Sequence, residues 1–189
     1  MLAAKNMKQI VQNFASKVAE GRIEIYNEFS LQHEFGIHLR SKFPSMKVQF
    51  ERHASFFFSQ ANLKFIKKEI DITIFSTDKS QIEAVFELKF PRNGQYPEQM
   101  FSFCKDICFV EQLKKQDLGQ LISSFLLTID SSMKDILTVS TGSFVVEKSC
   151  MGMFKSQPAK KNESLTINGR YSITWHPAGK GMKYALVET

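Results

Sequence analysis

The sequence is short of the features that mark whole classes of protein. It holds three cysteines in 189 residues, Cys104, Cys108 and Cys150, an odd number without framework spacing. That argues against a disulfide-stapled secreted scaffold and predicts reduced thiols. Residues 1–9 contain no apolar stretch of the signal-peptide kind. The longest apolar run, 121–129, is broken by Ser123 and Ser124 and is too short to span a bilayer. No block of like charges forms a polybasic tail, and there is no internal repeat or low-complexity tract. Walker-type loops, dinucleotide fingerprints and serine-nucleophile elbows are also missing. These absences predict a cytoplasmic protein with no membrane partner.

What is present is core-forming material. Hydrophobic residues make up 43% of the chain, with 18 phenylalanines, enough to bury a core without staples and to argue against disorder. The net charge of +6 modestly favours nucleic acid or another anionic partner. Apolar residues at helical spacing predict helices over 7–19 (Ile10, Val11, Phe14, Val18) and about 29–42 (Leu31, Phe35, Leu39, Phe43), with Gly21 and Pro44 as stops. Alternation predicts strands over 47–58, 69–75 and 82–90. A loop at 91–97 precedes a helix over about 98–115, then a strand over 121–129. Beyond Asp130 the signals are weaker. Strands are expected at 144–147 and 184–187, and Asn168-Gly169 reads as the two-residue turn of a hairpin spanning 165–175. The expected organisation is an α/β (α+β) core over 1–135 and a β-rich extension over 136–189 packed on the same domain.

Two of these strands gather chemistry. If 69–75 and 82–90 form an antiparallel hairpin, position 71 faces 87 and 69 faces 89. One face then holds Ile70, Ile72, Ile74, Ala84, Phe86, Leu88 and Phe90. The other holds Glu69, Asp71, Thr73, Glu87 and Lys89. Adjacent carboxylates repel unless they are solvated, share a proton or hold a divalent cation between them. Mg²⁺ takes oxygen ligands and keeps several waters, so two carboxylates and a substrate phosphate suffice. An ammonium at Lys89 could orient a water and stabilise charge on a phosphoryl group. The same alternation also describes a solvated strand face with a cross-strand ion pair.

Asp71 within Glu69-Ile70-Asp71-Ile72, followed by Glu87-Leu88-Lys89 at the end of an apolar strand, resembles the motif of the PD-(D/E)XK (restriction-endonuclease-like) nucleases. Ile70 stands where the family's proline usually is. The resemblance covers roughly 28–130 and implies an αβββαβ core, a mixed central sheet flanked by helices. It implies Mg²⁺ (or Mn²⁺) on Asp71 and Glu87, Lys89 assisting a water, and hydrolysis of phosphodiester bonds, with DNA the expected partner. Many members add a carboxylate from the first core helix. Glu34 is the candidate third ligand, and Glu28 the alternative, seven residues before Phe35 on the same stripe.

On the next helix, Gln99, Lys105, Lys114 and Lys115, with Arg92 before it, are candidate substrate contacts. Asp106 is either a buried-edge group fixing Lys89 or a solvated helix charge. Cys104 and Cys108 find no second Cys/His pair at zinc spacing and read as small buried hydrophobes. Family members that cut both strands often pair as homodimers, and the aromatic-rich C-terminal segment offers a surface for that.

Overall fold

The computed structural model describes residues 4–57, 65–91, 96–116, 121–130, 143–146, 165–179 and 181–189. Helices α1 (Ala4–Ala19) and α2 (Glu28–Lys42) come first. A capping box starts α2. The Asn27 side chain accepts from Ser30 N–H at 2.7 Å, and Ser30 Oγ accepts from Asn27 N–H at 3.0 Å. Strand β1 (Lys47–His53) stops short of the expected 58 because His53 Nδ1 accepts from Ser55 N–H and turns the chain into one 3₁₀ turn over Ala54–Phe56. Phe56 and Phe57 then pack on Phe75. Phe58 lies outside the described residues.

Strands β2 (Glu69–Phe75) and β3 (Ile82–Lys89), helix α3 (Tyr96–Gln116) and strand β4 (Leu121–Asp130) follow. Late in the chain come β5 (Ser143–Val146), β6 (Tyr171–Thr174), β7 (His176–Gly179) and β8 (Met182–Glu188). The result is a mixed α+β fold around a six-stranded sheet of order β1-β2-β3-β4-β8-β7, with β5 and β6 as a separate pair. Strands β1, β2 and β3 are antiparallel neighbours. Helix α3 carries the chain from β3 to β4, which runs parallel to it. Ile72 lies opposite Phe86 and Ile74 opposite Ala84, the register in which 71 faces 87.

β3 is covered on both faces, and all eight of its residues are buried. On one side Ile72, Ile74, Ala84, Phe86 and Leu88 pack with α1 and α2. There Phe35 bridges the layers, with ring centroids 5.0 Å from Phe14 and 5.1 Å from Phe86. On the other side Val85 packs with Phe109 and Leu113 of α3. Ile70, expected beside Ile72, belongs to this second cluster with Ala54 and Phe75. Among the described residues no helix is long and apolar enough to cross a membrane.

The C-terminal region departs from the expected hairpin. Asn168-Gly169 does not turn one strand onto the next; β6 pairs with β5 instead. The dipeptide receives a carboxylate from α3. Glu111 accepts from Asn168 N–H at 2.9 Å, Asn168 Nδ2 at 2.8 Å, Gly169 N–H at 2.6 Å and Tyr171 O–H at 2.8 Å. A hairpin, β7–β8, does form further on and completes the main sheet beside β4. Gly179 is required there, since its φ is +75° and a Cβ would lie 2.5 Å from Ala19 Cα at the end of α1.

Burial alone would raise the Glu111 pKa, but the donors from Asn168, Gly169 and Tyr171 hold it below the ordinary value. Its contribution to stability is therefore full above the unfolded glutamate pKa and lost as pH falls through the lower folded one. Glu111→Ala leaves the Asn168 and Gly169 N–H groups without this acceptor and should cost about 2 kcal/mol. Urea denaturation at neutral pH measures it, and an unchanged midpoint would show that the clamp carries no stability.

Candidate functional site

The charged residues of β2 and β3 meet beneath α3. Glu87 is fully buried, Lys89 is 7% exposed and Asp106 of α3 is 1% exposed. The solvated-face reading of the alternation is thereby overturned: α3 covers that face, and its charges are held inside. Asp106 settles as the buried group that fixes Lys89. Its Oδ2 lies 2.7 Å from Lys89 Nζ, an ion pair without hydrogen-bond alignment. Lys89 Nζ also donates to Leu88 O at 2.9 Å.

Asp71 is anchored twice. Its Oδ2 accepts from Leu88 N–H at 2.7 Å, and its backbone carbonyl accepts from Gln32 Nε2 of α2 at 3.1 Å. The β1–β2 register is unbroken from Phe50–Ile72 to Arg52–Ile70 but skips Glu51, whose φ of 48° lies in the left-handed region. The Glu51 side chain accepts from the same Gln32 amide.

The group that joins these parts is Lys67. Its ammonium contacts Glu87 Oε2, lies 2.8 Å from Asp106 Oδ1 and 3.9 Å from Asp71 Oδ1. It also sits 5.7 Å from the centre of the Phe109 ring. Nothing in the sequence singles it out, because Lys67-Lys68-Glu69 reads as a solvated strand entrance. Only the fold, by bringing α3 over β3, turns that side chain into the cluster.

Three carboxylates thus face two ammoniums, and the cluster is one positive charge short. Burial, then the charges of Asp71 and Asp106, raise the Glu87 pKa well above the carboxylate range against the opposing pull of Lys67. Burial raises Asp71 as well; Lys67, Lys89 and the Leu88 N–H oppose it, and the result is about 6. For the lysines burial works downward, but the carboxylates win. Asp106 chiefly holds Lys89 above its ordinary value, and Glu87 chiefly does so for Lys67. The shifts favour the charged ammoniums, which leaves three carboxylates against two cations. Glu87 Oε1 is buried without a hydrogen-bond partner.

The structure brings Asp71, Glu87 and Lys89 together as expected, and it does not bring Glu34 to them. Glu34 is two residues from Gln32, hence on the other side of α2, with its carboxylate 3.4 Å from His33 Nδ1. Glu28, one turn before Gln32, is the acid that α2 offers instead; its Oε2 accepts from Phe90 N–H at 3.3 Å. Lys105 is half-buried on α3, and Gln99 lies nearer the start of that helix. Lys114 donates to Thr189 O at 2.6 Å, and Lys115 is exposed. Arg92 and Cys150 lie outside the described residues. Cys104 and Cys108 are buried, as small hydrophobes would be, and neither is in a disulfide. Among the described residues no three His, Cys, Asp or Glu side chains stand ready to ligate a metal; the cation among the carboxylates is Lys67.

No family model, curated protein or solved structure matches the chain. The functional reading therefore rests on the site itself and on the motif resemblance.

Because the folded pKa of Asp71 is raised to about 6, the folded chain binds a proton that the unfolded chain has already released. Its contribution is present below the unfolded aspartate pKa and is lost as pH rises to about 6. Relative to Asp71→Asn, the wild-type protein should lose stability across that window. Denaturation midpoints taken across it test this, and parallel profiles for the two proteins would refute the assignment.

Proposed function

We propose that this chain is a Mg²⁺-dependent phosphodiesterase of nuclease type acting on DNA, built on a restriction-endonuclease-like αβββαβ core of α2, β1, β2, β3, α3 and β4. One observation carries the reading: Glu87, fully buried and with one carboxylate oxygen unpartnered, stands with Asp71 and Lys89 in a charge-deficient cluster. Buried carboxylates with raised pKa values held beside a fixed ammonium mark a candidate functional site. The element order and the parallel β3–β4 pair support the same reading.

The donor set fits a hard divalent ion. Asp71 and Glu87 would hold it, the orphaned Glu87 Oε1 gaining the partner it lacks. Such an ion, when bound, supplies Lewis-acid activation of water and of the phosphoryl oxygen. The chain's own groups do the positioning. Lys89 remains protonated, so it is no general base; held by Asp106 and Leu88 O, its ammonium orients a water and stabilises charge on a phosphoryl oxygen. Asp71 keeps its orientation through the Leu88 N–H. In the reaction the water oxygen forms the new bond to phosphorus as the ester P–O bond breaks, and the proton that the water gives up passes through solvent to the leaving alkoxide.

The test is cleavage of plasmid and single-stranded DNA with Mg²⁺ or Mn²⁺. Glu87→Gln and Lys89→Met should each lower the rate by at least about a hundredfold while the protein stays folded. Glu34→Gln should leave it unchanged. Wild type and variants behaving alike would refute the proposal. The ion pairs that Lys67 already makes with Glu87 and Asp106 favour a second reading, a non-catalytic nucleic-acid-binding or protein-interaction domain on the same fold. That reading predicts DNA affinity that falls with salt, no cleavage and no divalent-ion binding.

A further inference from the structure

We infer that Lys67 is the built-in counter-cation of this site and that a divalent ion enters by displacing its ammonium into solvent. The inference rests on the reading that Asp71 and Glu87 bind a divalent ion. Lys67 is the only one of the two clustered ammoniums that reaches all three carboxylates, Asp71, Glu87 and Asp106. It is also the most open member. Its side chain is 23% exposed, against 15% for Asp71, 9% for Lys89, 1% for Asp106 and none for Glu87. An ion arriving from solvent therefore meets Lys67 first.

Charge favours the exchange. With Lys67 in place, two positive charges face three negative ones. With a divalent ion in its place beside Lys89, three face three. Glu87 Oε1, which lacks a hydrogen-bond partner, then gains a ligand.

The local backbone allows the side chain to leave without rearranging. Ile66 N–H donates to Gln112 Oε1 of α3 at 2.8 Å, and Lys68 O accepts from Ala54 N–H at 2.7 Å. Position 67 is pinned on both sides, and the move requires only rotation about the bonds of its four-carbon stem. The arrangement is self-inhibiting. The tethered ammonium competes with the ion, so the site fills only above a concentration that Lys67 sets. Removing the competitor raises affinity, whereas losing an ordinary ligand or a support lowers it.

The experiment uses the full chain and Mn²⁺ alone, with two readouts independent of cleavage. Calorimetric or paramagnetic titration should show Lys67→Met binding Mn²⁺ at least about tenfold more tightly than wild type. In the wild-type protein, acylation by an amine-reactive ester, read by mass spectrometry against the exposed neighbour Lys68, should rise at Lys67 by about fivefold or more at saturating Mn²⁺. Equal Mn²⁺ affinity in the two proteins, or Lys67 labelling unchanged at saturation, overturns the displacement while leaving the metal site standing. Mn²⁺ binding by neither folded protein removes the divalent site and this inference with it. Should Lys67→Met not fold, the labelling of the wild-type protein decides alone.

Discussion

The constraint on which the rest depends is that β3 is covered on both faces. A strand paired in parallel with its successor needs a crossover, and here α3 supplies it and lies over the sheet. A strand so placed would ordinarily be apolar throughout. β3 instead carries Glu83, Glu87 and Lys89 into the interior. Burying a charge is costly unless it is paired and hydrogen-bonded, so the topology forces partners on these groups. Asp106 comes down from α3, Asp71 across from β2, and Lys67 in from the approach to β2.

As a stabilising device such a cluster is poor. Buried ion pairs seldom outperform well-packed apolar side chains of the same volume, and this one carries an unbalanced charge and an orphaned oxygen. Asp78, by contrast, lies in the exposed turn after β2, and its pKa is held at about 2, chiefly by the Ser76 hydroxyl. Its Oδ1 accepts from the Ser76 and Ser80 hydroxyls and from the Ser80 N–H. A fold that gives Asp78 and Glu111 several donors each, yet leaves Glu87 Oε1 short of a partner at its centre, keeps that shortfall where chemistry could use it.

Much of this was legible in the sequence, and what was not has a common cause. The period-two alternation of 69–75 and 82–90 is a local signal strong enough to sort most residues by face, though not to fix register, which is why Asp71, Glu87 and Lys89 could be grouped. Alternation says which residues share a face, not what covers it. That is decided by α3, so the burial of Glu87 and the role of Asp106 could not be read in advance. Lys67 reaches the cluster from outside the two strands, where no periodicity speaks for it. At Asn168-Gly169 the local preference for a tight turn was real, but a carboxylate 57 residues away on α3 took the same N–H groups. Glu34 shows the reverse error: the right helix was identified, but the face toward the sheet is set by Glu28 and Gln32.

The way Asp71 is held bears on how readily the site can change its cation. Its carbonyl is tied to α2 through Gln32, and its carboxylate to β3 through the Leu88 N–H. Neither bond involves Lys67. Lys89 is fixed separately, by Asp106 and by Leu88 O. Asp71 and the Lys89–Asp106 pair therefore keep contacts that do not depend on the Lys67 side chain. A site whose dipoles and charges are set by backbone and helix contacts needs little reorganisation when its mobile cation is exchanged. Two cores, one under α1 and α2 and the other under α3, meet at this sheet, and their packing holds the oxygens in position, leaving Lys67 as the adjustable part.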